Sequence, residues 1–433
     1  MGLNRRDFLK ISGLQAGALA AGASPRSDLL AEEKPPQGAP GERPQAPSIR
    51  EGRPEVAVIG AGCFGVWTAY YLRERGVNVL LVDQYGPGNS RATSGGETRG
   101  VRSGYRDNVL WTEWANRAIE RWNEWNTRWI EECGTQLFFP TGDLTLREDW
   151  DNFATLTRDT WDELGVAYDL LSAEEVSYRW PWIDAEGVGV ALYEYQAGVV
   201  RARKACEQVW DMYTDRLGGT FELQRVELGR TFDGRLADIV LHPSGDRINA
   251  DQYIFAVGPW FPYLFPELLG EDFRIPIGHV YYFGIEPGDN RFRYPNMPSY
   301  NVPGVTGWPA LPPDSKGLRV RTGGRDPQHP DESSRYIPGE FLEQPREVLR
   351  EWFPELAEAP LTETRACHYE FGNSGEFMID RHPDMRNVWL FGAGNAEGFK
   401  FSPILGEYMA QRALGEDPHA DVSDRFRLLR NQP

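Results

Sequence analysis

Three glycines and one aspartate near residue 60 have the types and spacing to hold a dinucleotide. Gly60, Gly62 and Gly65 form a G-x-G-x-x-G motif, and Asp83 follows some 20 residues later. The first glycine permits a tight turn, the second lets the backbone approach a pyrophosphate, and the third lets a helix pack closely on a strand. An acid at this separation accepts a hydrogen bond from a ribose hydroxyl.

The flanking residues predict the strand–turn–helix–strand unit that positions such a motif. Residues 55–59 are an apolar run rich in β-branched side chains, residues 66–72 have helical spacing, and a second apolar run covers 77–82. The free N–H groups at the start of the helix would face the phosphates. The alternative, a glycine-rich turn in an ordinary α/β unit, is disfavoured by this context.

NAD and FAD share this unit, and the residues that follow distinguish between them. Residues 83–99 form a long loop of small residues rather than the next strand–helix unit of a nicotinamide-binding fold, and a Trp-rich helical stretch covers 111–132. This arrangement resembles the amine-oxidising flavoproteins of the D-amino-acid oxidase superfamily. Within that superfamily it is most similar to the monomeric sarcosine oxidases and N-methyltryptophan oxidases, whose loop ends like residues 96–99, with another arginine three residues on.

The resemblance extends over roughly residues 55–430. Residues 253–260 are similar to a returning strand of the family that ends in Ala-x-Gly-x-Trp. The blocks 365–369, 376–380, 387–394 and 397–403 follow the sarcosine oxidase pattern with little or no gap. The end blocks are specific, whereas the middle of the chain is only loosely similar.

The resemblance implies an α/β fold with a Rossmann-like FAD-binding domain and a discontinuous α+β substrate domain built on a mixed sheet. We predict that residues 55–150, 195–260 and 360–433 form the FAD-binding domain. Residues 151–194 and 261–359 are predicted to form the substrate domain.

The resemblance also assigns roles to individual side chains. Cys367 matches the cysteine that bonds covalently to the flavin 8α carbon, and Arg365 and His368 beside it would favour the nucleophilic thiolate. Arg102 and Lys400 match the pair of cations that bind the substrate carboxylate. The alternative interpretation of Cys367 is a buried free cysteine, and that of Arg102 is a surface ion pair.

The cofactor contacts implied by the resemblance are drawn from the glycine motif, the loop after Asp83, the returning strand and the C-terminal blocks. They are Gly60, Ala61, Gly62, Phe64, Gly65, Asp83, Gln84, Ser94, Thr98, Arg99, Val226, Gly258, Trp260, Cys367, Gly394, Gly398, Phe399 and Lys400. The amides around Gly398 would face the N1/O2 edge of the flavin, where negative charge develops on reduction.

One departure from the family pattern concerns the reaction with oxygen. Arg319 stands where the family has a lysine that speeds the reaction of reduced flavin with oxygen, and Gly323 stands where it has a histidine. Lys316 is the counterpart if the gap is placed differently. Arginine keeps the charge but replaces a compact ammonium with a planar fork, so the sequence leaves the electron acceptor open between oxygen and another carrier.

The chain contains 15 tryptophans, and several lie at helical spacing. Trp111, Trp114, Trp122, Trp125 and Trp129 are predicted to pack in the core or between helices. Tyr281, Tyr282, Phe283 and Trp308 are candidates for an aromatic wall around an amine substrate.

The N-terminal residues predict an export signal rather than part of the fold. Arg5 and Arg6 precede Phe-Leu-Lys and a short apolar stretch, the pattern of a twin-arginine signal at 1–23, and the proline-rich residues 24–54 predict a disordered linker. We therefore expect a periplasmic protein that interacts with the twin-arginine export machinery. We expect no membrane span, because no later segment reaches 18 apolar residues.

Composition excludes two further classes. The formal net charge of −18, from 64 acidic and 46 basic residues, argues against a nucleic-acid partner. The four cysteines and six histidines show no ligand spacing, so no metal site is predicted.

The sequence thus predicts FAD-dependent oxidation of a C–N bond in an amino acid or N-methyl amine that carries a carboxylate. Hydride would pass from the α-carbon to flavin N5, followed by imine hydrolysis, with Arg102, Lys400 and Arg319 as catalytic residues. A flavin dehydrogenase that uses a quinone or carrier, and a flavin-binding protein without turnover, remain the alternatives.

Overall fold

The computed structural model describes residues 53–428. The predicted export signal at 1–23 and nearly all of the predicted linker at 24–54 lie outside the described residues. Within 53–428, no helix is both long and apolar enough to cross a membrane.

A six-stranded sheet carries the glycine motif near its centre. In sheet order its strands are β23 (Met378–His382), β24 (Met385–Gly392), β15 (Gln252–Phe255), β1 (Val56–Ile59), β2 (Val79–Asp83) and β9 (Thr220–Leu223). Neighbouring strands are parallel, except that β23 and β24 are antiparallel. All four residues of β1 are buried and apolar, as expected for a strand that is covered on both faces.

Helices cover this sheet and connect the rest of the chain. They are α1 (Cys63–Glu74), α2 (Val109–Cys133), α3 (Asn152–Leu164), α4 (Ala173–Arg179), α5 (Ala202–Asp211), α6 (Phe261–Leu264), α7 (Pro266–Leu269), α8 (Glu343–Trp352), α9 (Gly398–Ala413) and α10 (Ala420–Ser423). The predicted strand–turn–helix–strand unit is present as β1, α1 and β2.

Helix α2 accounts for the tryptophan-rich stretch. Asn108 caps its start by accepting a hydrogen bond from the Trp111 amide, and Gly134 ends it in the left-handed conformation. The five tryptophans of this helix are all buried in one core cluster, which confirms the predicted packing role. Trp67 of α1 lies among them, with its ring centroid 4.8 Å from that of Trp125.

An eight-stranded mixed sheet forms the second large layer. In sheet order its strands are β21 (Leu361–His368), β17 (Ile277–Phe283), β20 (Leu318–Arg325), β19 (Val305–Trp308), β18 (Ser299–Val302), β5 (Asp143–Arg147), β7 (Val190–Glu194) and β6 (Tyr168–Leu171). All neighbours are antiparallel except β18 and β5. Strands β5 and β21 join this sheet although they lie in segments predicted for the FAD-binding domain. The domain boundaries stay a prediction.

Strand alternation divides the predicted aromatic wall. Tyr281 and Phe283 belong to the core cluster on one face of β17, where the Tyr281 hydroxyl donates to the Phe341 carbonyl at 2.8 Å. Tyr282 points to the other face, opposite Arg319. Adjacent residues of a strand point to opposite faces, so Tyr281 and Phe283 cannot line the same wall as Tyr282. The prediction of a four-residue wall was therefore wrong for Tyr281 and Phe283.

Short strands complete the fold. They are β3 (Arg99–Val101), β4 (Phe138–Phe139), β8 (Gly198–Val200), β10 (Arg225–Leu228), β11 (Thr231–Phe232), β12 (Arg235–Leu236), β13 (Ile239–His242), β14 (Arg247–Ile248), β16 (Phe273–Arg274) and β22 (Phe371–Gly372). Strand β3 pairs with β8, which fixes the backbone between Arg99 and Arg102.

The contact between α1 and α9 yields a stability prediction. A Cβ atom on Gly406 would lie 2.4 Å from the Cβ atom of Trp67 and 3.1 Å from the Thr68 amide nitrogen. Because the two helices would have to separate, Gly406→Ala should lower the free energy of unfolding by about 1–3 kcal/mol in denaturant titrations. Gly339→Ala is the control, since no atom lies within 4 Å of its added Cβ. Equal losses in both variants would contradict this account.

Candidate active site

A deep cleft runs across the carboxyl ends of β1, β2 and β15. Most of the predicted cofactor contacts line this cleft: Gly60, Gly62, Phe64, Asp83, Gln84, Ser94, Arg99, Val226, Gly258, Trp260, Gly394, Gly398 and Phe399. Ala61, Gly65, Thr98, Cys367 and Lys400 are not among its lining residues. This edge of a parallel sheet is where ligands bind in doubly wound folds.

The glycine turn leaves no room for side chains behind the cleft. Gly60 has a φ of +105°, and an added Cβ would lie 2.3 Å from the Ala256 carbonyl oxygen. An added Cβ on Gly65 would lie 1.7 Å from the Gly60 carbonyl oxygen. The turn therefore packs backbone against backbone, and the amides at the start of α1 stay open to the cleft.

Asp83 anchors this turn to the end of β2. One carboxylate oxygen accepts from the Ala61 amide at 2.7 Å, and the other accepts from the amides of Tyr85 and Gly86 at 2.7 and 2.8 Å. The predicted residues Ala61 and Asp83 thus contact each other, and Asp83 shapes the turn as well as lining the cleft.

The loop before β3 brings Arg99 to Cys367. The Arg99 guanidinium donates to the Cys367 sulfur at 3.1 Å and to the carbonyls of Thr93 and Thr98. Cys367 is 5% exposed and lies just behind Thr93 and Arg99, which line the cleft. Ser94 accepts from the Cys63 amide at 3.3 Å, so the same loop also reaches the start of α1.

A strained turn precedes α9. Ala393, Asn395 and Ala396 all have positive φ, and the buried Glu370 carboxylate accepts from the amides of Ala393 and Gly394. Non-glycine residues in this conformation mark strain that the surroundings must hold. Helix α9 then begins at Gly398, where an added Cβ would lie 2.6 Å from the Phe64 ring.

Lys400 is held by two neighbours in the first turn of α9. Its side chain is 4% exposed, its ammonium donates to Glu397 at 2.5 Å, and it also contacts the Tyr105 hydroxyl. Tyr105 in turn donates to Glu397 at 2.9 Å. Burial lowers the pKa of Lys400, while the charge of Glu397 opposes that shift.

Arg102, the residue directly after β3, approaches the same group. Its Nε is buried and has no hydrogen-bond partner within residues 53–428. Burial alone would lower the pKa of Arg102, but the negative charges of Asp143 and Glu397 outweigh it and raise the pKa. The charge of Arg102 also lowers the pKa of Lys400, and the role of the two residues as a pair that binds one substrate stays a prediction.

Arg319 lies elsewhere, beside Arg99. Its guanidinium carbon is 3.7 Å from the centroid of the Trp308 ring, and the Trp308 indole donates to the Thr98 hydroxyl at 2.7 Å. Burial lowers the pKa of Arg319 to about 10. Lys316, the other candidate for the oxygen-activating position, donates to Glu363 at 2.7 Å.

A loop closes the far end of the cleft. Asp331 accepts from the Trp260 indole at 3.1 Å and from the Tyr85 hydroxyl at 2.8 Å, and Arg91 donates to its carbonyl at 2.9 Å. Residues 329 and 331 line the cleft opposite Gln84 and Val226.

Five residues of the site were missed by the sequence analysis: Tyr105, Asp143, Asp331, Glu370 and Glu397. Two of them have a feature in the sequence that could have identified them. Asp143 is the only acid in β5, whose other residues are Leu144, Thr145, Leu146 and Arg147, and Glu397 precedes Lys400 by one helical turn. The others are placed by contacts between distant segments.

The cleft fits a flavin dinucleotide. Helix α1 begins after Gly62 and α9 begins at Gly398, and neither start has a side-chain cap. Amides in the first turn of a helix that have no intrahelical partner, together with the positive end of the helix dipole, favour the binding of anions. The pyrophosphate of FAD would be held at α1, and the edge of the ring where charge develops would be held at α9.

The chain is similar to known flavoproteins over most of its length. A family model described as "DAO: FAD dependent oxidoreductase" matches residues 55–412. Monomeric sarcosine oxidase of Bacillus sp. (strain B-0618) is 27% identical over 85% of this chain and 94% of its own. N-methyl-L-tryptophan oxidase of Salmonella agona is 24% identical over 87% of this chain and 98% of its own.

Solved structures share the fold. The crystal structure of L-proline dehydrogenase from P. horikoshii superposes with a TM-score of 0.73, at 18% identity over 87% of this chain and 99% of its own.

Glu370 gives the site a pH-dependent stability. Burial raises its pKa to about 7, although the amides of Ala393 and Gly394 oppose the shift. Between the ordinary value of 4.5 and 7 the folded protein keeps a proton that the unfolded chain releases, so stability falls as pH rises and levels off above 7. Glu370→Gln keeps an acceptor for the Ala393 amide but has no carboxyl group to titrate. The Tm of this variant should therefore rise relative to that of the wild type as the pH increases from 5 to 7.

Differential scanning calorimetry across this pH range measures the effect. The exposed Glu267→Gln substitution is the matched control. A Tm difference between Glu370→Gln and the wild type that stays constant with pH would contradict the interpretation.

Proposed function

The chain belongs to the family of FAD-dependent oxidoreductases, and on that premise we propose that it oxidises a C–N bond in an amino acid or secondary amine that carries a carboxylate. The observation that carries the proposal is the cluster of Arg102 and Lys400 beside the start of α9. The relatives named for the oxidation of sarcosine and N-methyl-L-tryptophan support the same class of substrate.

Within residues 53–428, Arg102 is the one of these two cations with a hydrogen-bond donor atom left for a substrate carboxylate. Its buried Nε lacks a partner within the described residues, and a substrate carboxylate would satisfy a guanidinium in the bidentate geometry that arginine favours. Lys400, already held by Glu397 and Tyr105, adds charge without having to move. Two fixed cations would orient the amine so that its α-carbon faces the cofactor.

When bound, the flavin supplies the two-electron oxidant that accepts hydride from the α-carbon at N5. The chain contributes position and charge. The first-turn amides of α9 that follow Gly398, whose own N–H donates to the Gly394 carbonyl, would stabilise negative charge along the ring edge. The buried aromatic residues Phe399 and Trp308 limit the access of water.

We propose that Cys367 binds the flavin covalently. It lies behind the cleft wall, and the hydrogen bond from Arg99 stabilises negative charge on its sulfur, the form that attacks an electrophilic carbon.

There are two candidates for the electron acceptor, namely oxygen and a quinone or other carrier. By resemblance, Arg319, whose guanidinium lies over the Trp308 ring, stands where the family has its oxygen-activating lysine, unless Lys316 is the counterpart. With arginine at that position, a dehydrogenase that passes electrons to a quinone or carrier is the alternative to an oxidase that uses oxygen.

We also propose export to the periplasm by the twin-arginine route, on the basis of residues 1–23. That route carries folded proteins, which would allow FAD to bind in the cytoplasm before transit.

The carboxylate site is tested by an anaerobic screen of N-methyl amino acids, with bleaching of the flavin as the readout. Arg102→Met should lower the second-order rate of flavin reduction roughly 100-fold, because it removes a buried charged partner worth 2–5 kcal/mol. Arg106→Met, an exposed arginine on the same loop, is the control. If no amine or amino acid bleaches the wild-type flavin, the protein is a flavin-binding protein without turnover.

Covalent attachment is tested by acid precipitation. The wild-type pellet should keep its yellow colour, whereas Cys367→Ser should release its flavin into the supernatant. Cys206→Ser, which removes another buried thiol, should retain it. Complete release from the wild type would show that the bond is not formed.

The acceptor is tested by mixing reduced protein with air-saturated buffer in a stopped-flow instrument. Arg319→Lys restores a compact ammonium and should speed reoxidation about tenfold, which corresponds to about 1.4 kcal/mol of barrier. Arg321→Lys, on the same strand, is the control. Rapid reoxidation of the wild type would rule against the dehydrogenase.

A further inference from the structure

Two buried carboxylates face each other beside Arg102. Asp143 of β5 and Glu194 of β7 are directly opposite in the antiparallel pairing of these strands. They are 7% and 1% exposed. Like charges in this cross-strand position destabilise a sheet unless a cation lies close to them.

The two carboxylates differ in how they are satisfied. Glu194 accepts from the Ser103 hydroxyl at 2.6 Å and from the Ser103 amide at 3.1 Å, so it holds the loop that carries Arg102. The Asp143 carboxylate has no hydrogen bond and no ion pair to any residue in the range 53–428. Arg102, Lys400 and Arg147 act on it only through their charge at longer range.

The nearby cations are largely engaged elsewhere. Lys400 pairs with Glu397 at 2.5 Å. Arg147 pairs with Asp151 at 3.0 Å and donates to the Asn301 carbonyl at 2.8 Å. The site around Arg102 and Lys400 therefore contains three carboxyl groups for two cations. Burial raises the pKa of Asp143 and Glu194, the latter to about 7, so their surroundings disfavour an unpaired negative charge. A substrate that brought only a carboxylate would not relieve this.

We propose that Asp143 binds a second cationic group of the substrate, so that the substrate class is an amino acid with a basic side chain. Its carboxylate would pair with Arg102, and the ammonium or guanidinium of its side chain would pair with Asp143. This inference rests on the proposed function. It follows from two groups of opposite sign that lack a direct partner within residues 53–428: the buried Nε of Arg102 and the carboxylate of Asp143, a residue that is 7% exposed. The cross-strand pairing of Asp143 with Glu194 and the hydrogen bonds of Glu194 to Ser103 place the two groups on neighbouring segments.

A neutral side chain would leave the Asp143 carboxylate desolvated and unpaired when the substrate excludes water from the site. A diamine would instead leave Arg102 unpaired. Only a substrate with both charges satisfies both residues, and a partly buried charge-assisted hydrogen bond favours it by about tenfold or more.

The experiment compares two nearly isosteric substrates on the FAD-loaded enzyme. Racemic Nα-methyllysine and racemic Nα-methylnorleucine differ in the terminal ammonium, and their second-order rates of anaerobic flavin reduction are measured by stopped flow. The wild type should prefer the lysine derivative at least tenfold. Asp143→Asn should reduce that ratio to about one. Asp149→Asn, an exposed acid just beyond the same strand, should leave the ratio unchanged.

Asp143→Glu provides a second variant in case the asparagine variant does not retain flavin. It keeps the charge on a longer arm, so its preference should shift from Nα-methyllysine towards the shorter Nα-methylornithine. An unchanged preference would count against direct contact with the substrate.

The outcomes separate this inference from the proposed function. Equal rates for the two substrates in the wild type overturn the assignment of Asp143 while leaving amine oxidation intact. A faster reaction with 1,5-diaminopentane than with Nα-methyllysine overturns the amino-acid class. Failure of every amine to bleach the flavin overturns the proposed function itself.

Discussion

The structure depends on two helix starts that have no side-chain caps and share one cleft. Helices α1 and α9 come from segments more than 300 residues apart, yet both begin at the cleft and both begin beside a glycine. The Cys63 amide donates to Ser94 and the Gly398 amide donates to the Gly394 carbonyl, so the later amides of each first turn are the ones left for a ligand or for water. The glycine turn, the Asp83 anchor and the strained turn held by Glu370 all maintain this arrangement, which explains why a dinucleotide fits here.

Charge is distributed unevenly around the cleft. The cofactor side presents amides and arginines, which suit phosphates and an electron-rich ring. The proposed substrate side combines Arg102 and Lys400 with the carboxyl groups of Asp143, Glu194 and Glu397, so it is not simply a basic pocket. This balance is the basis for the proposed preference for a substrate that carries both a carboxylate and a second cationic group.

Much of the cofactor side could be predicted from the sequence because its residues lie in contiguous motifs. Gly60 and Gly62 could be identified from one turn, and Gly398 and Phe399 from one contiguous block. The pairing of Asp143 with Glu194 could not be predicted, since it depends on the register of two strands some 50 residues apart. Tyr281 was misplaced for a related reason: local spacing does not reveal which face of a strand meets the core.

The most direct test of the account is a crystal structure of the protein with bound FAD. The account predicts that the pyrophosphate contacts the backbone at Gly62 and that the N1/O2 edge of the flavin ring meets the amides at Gly398. It also places the ring within bonding reach of the Cys367 sulfur. A ring that lies away from the start of α9, or a pyrophosphate away from the start of α1, would contradict it.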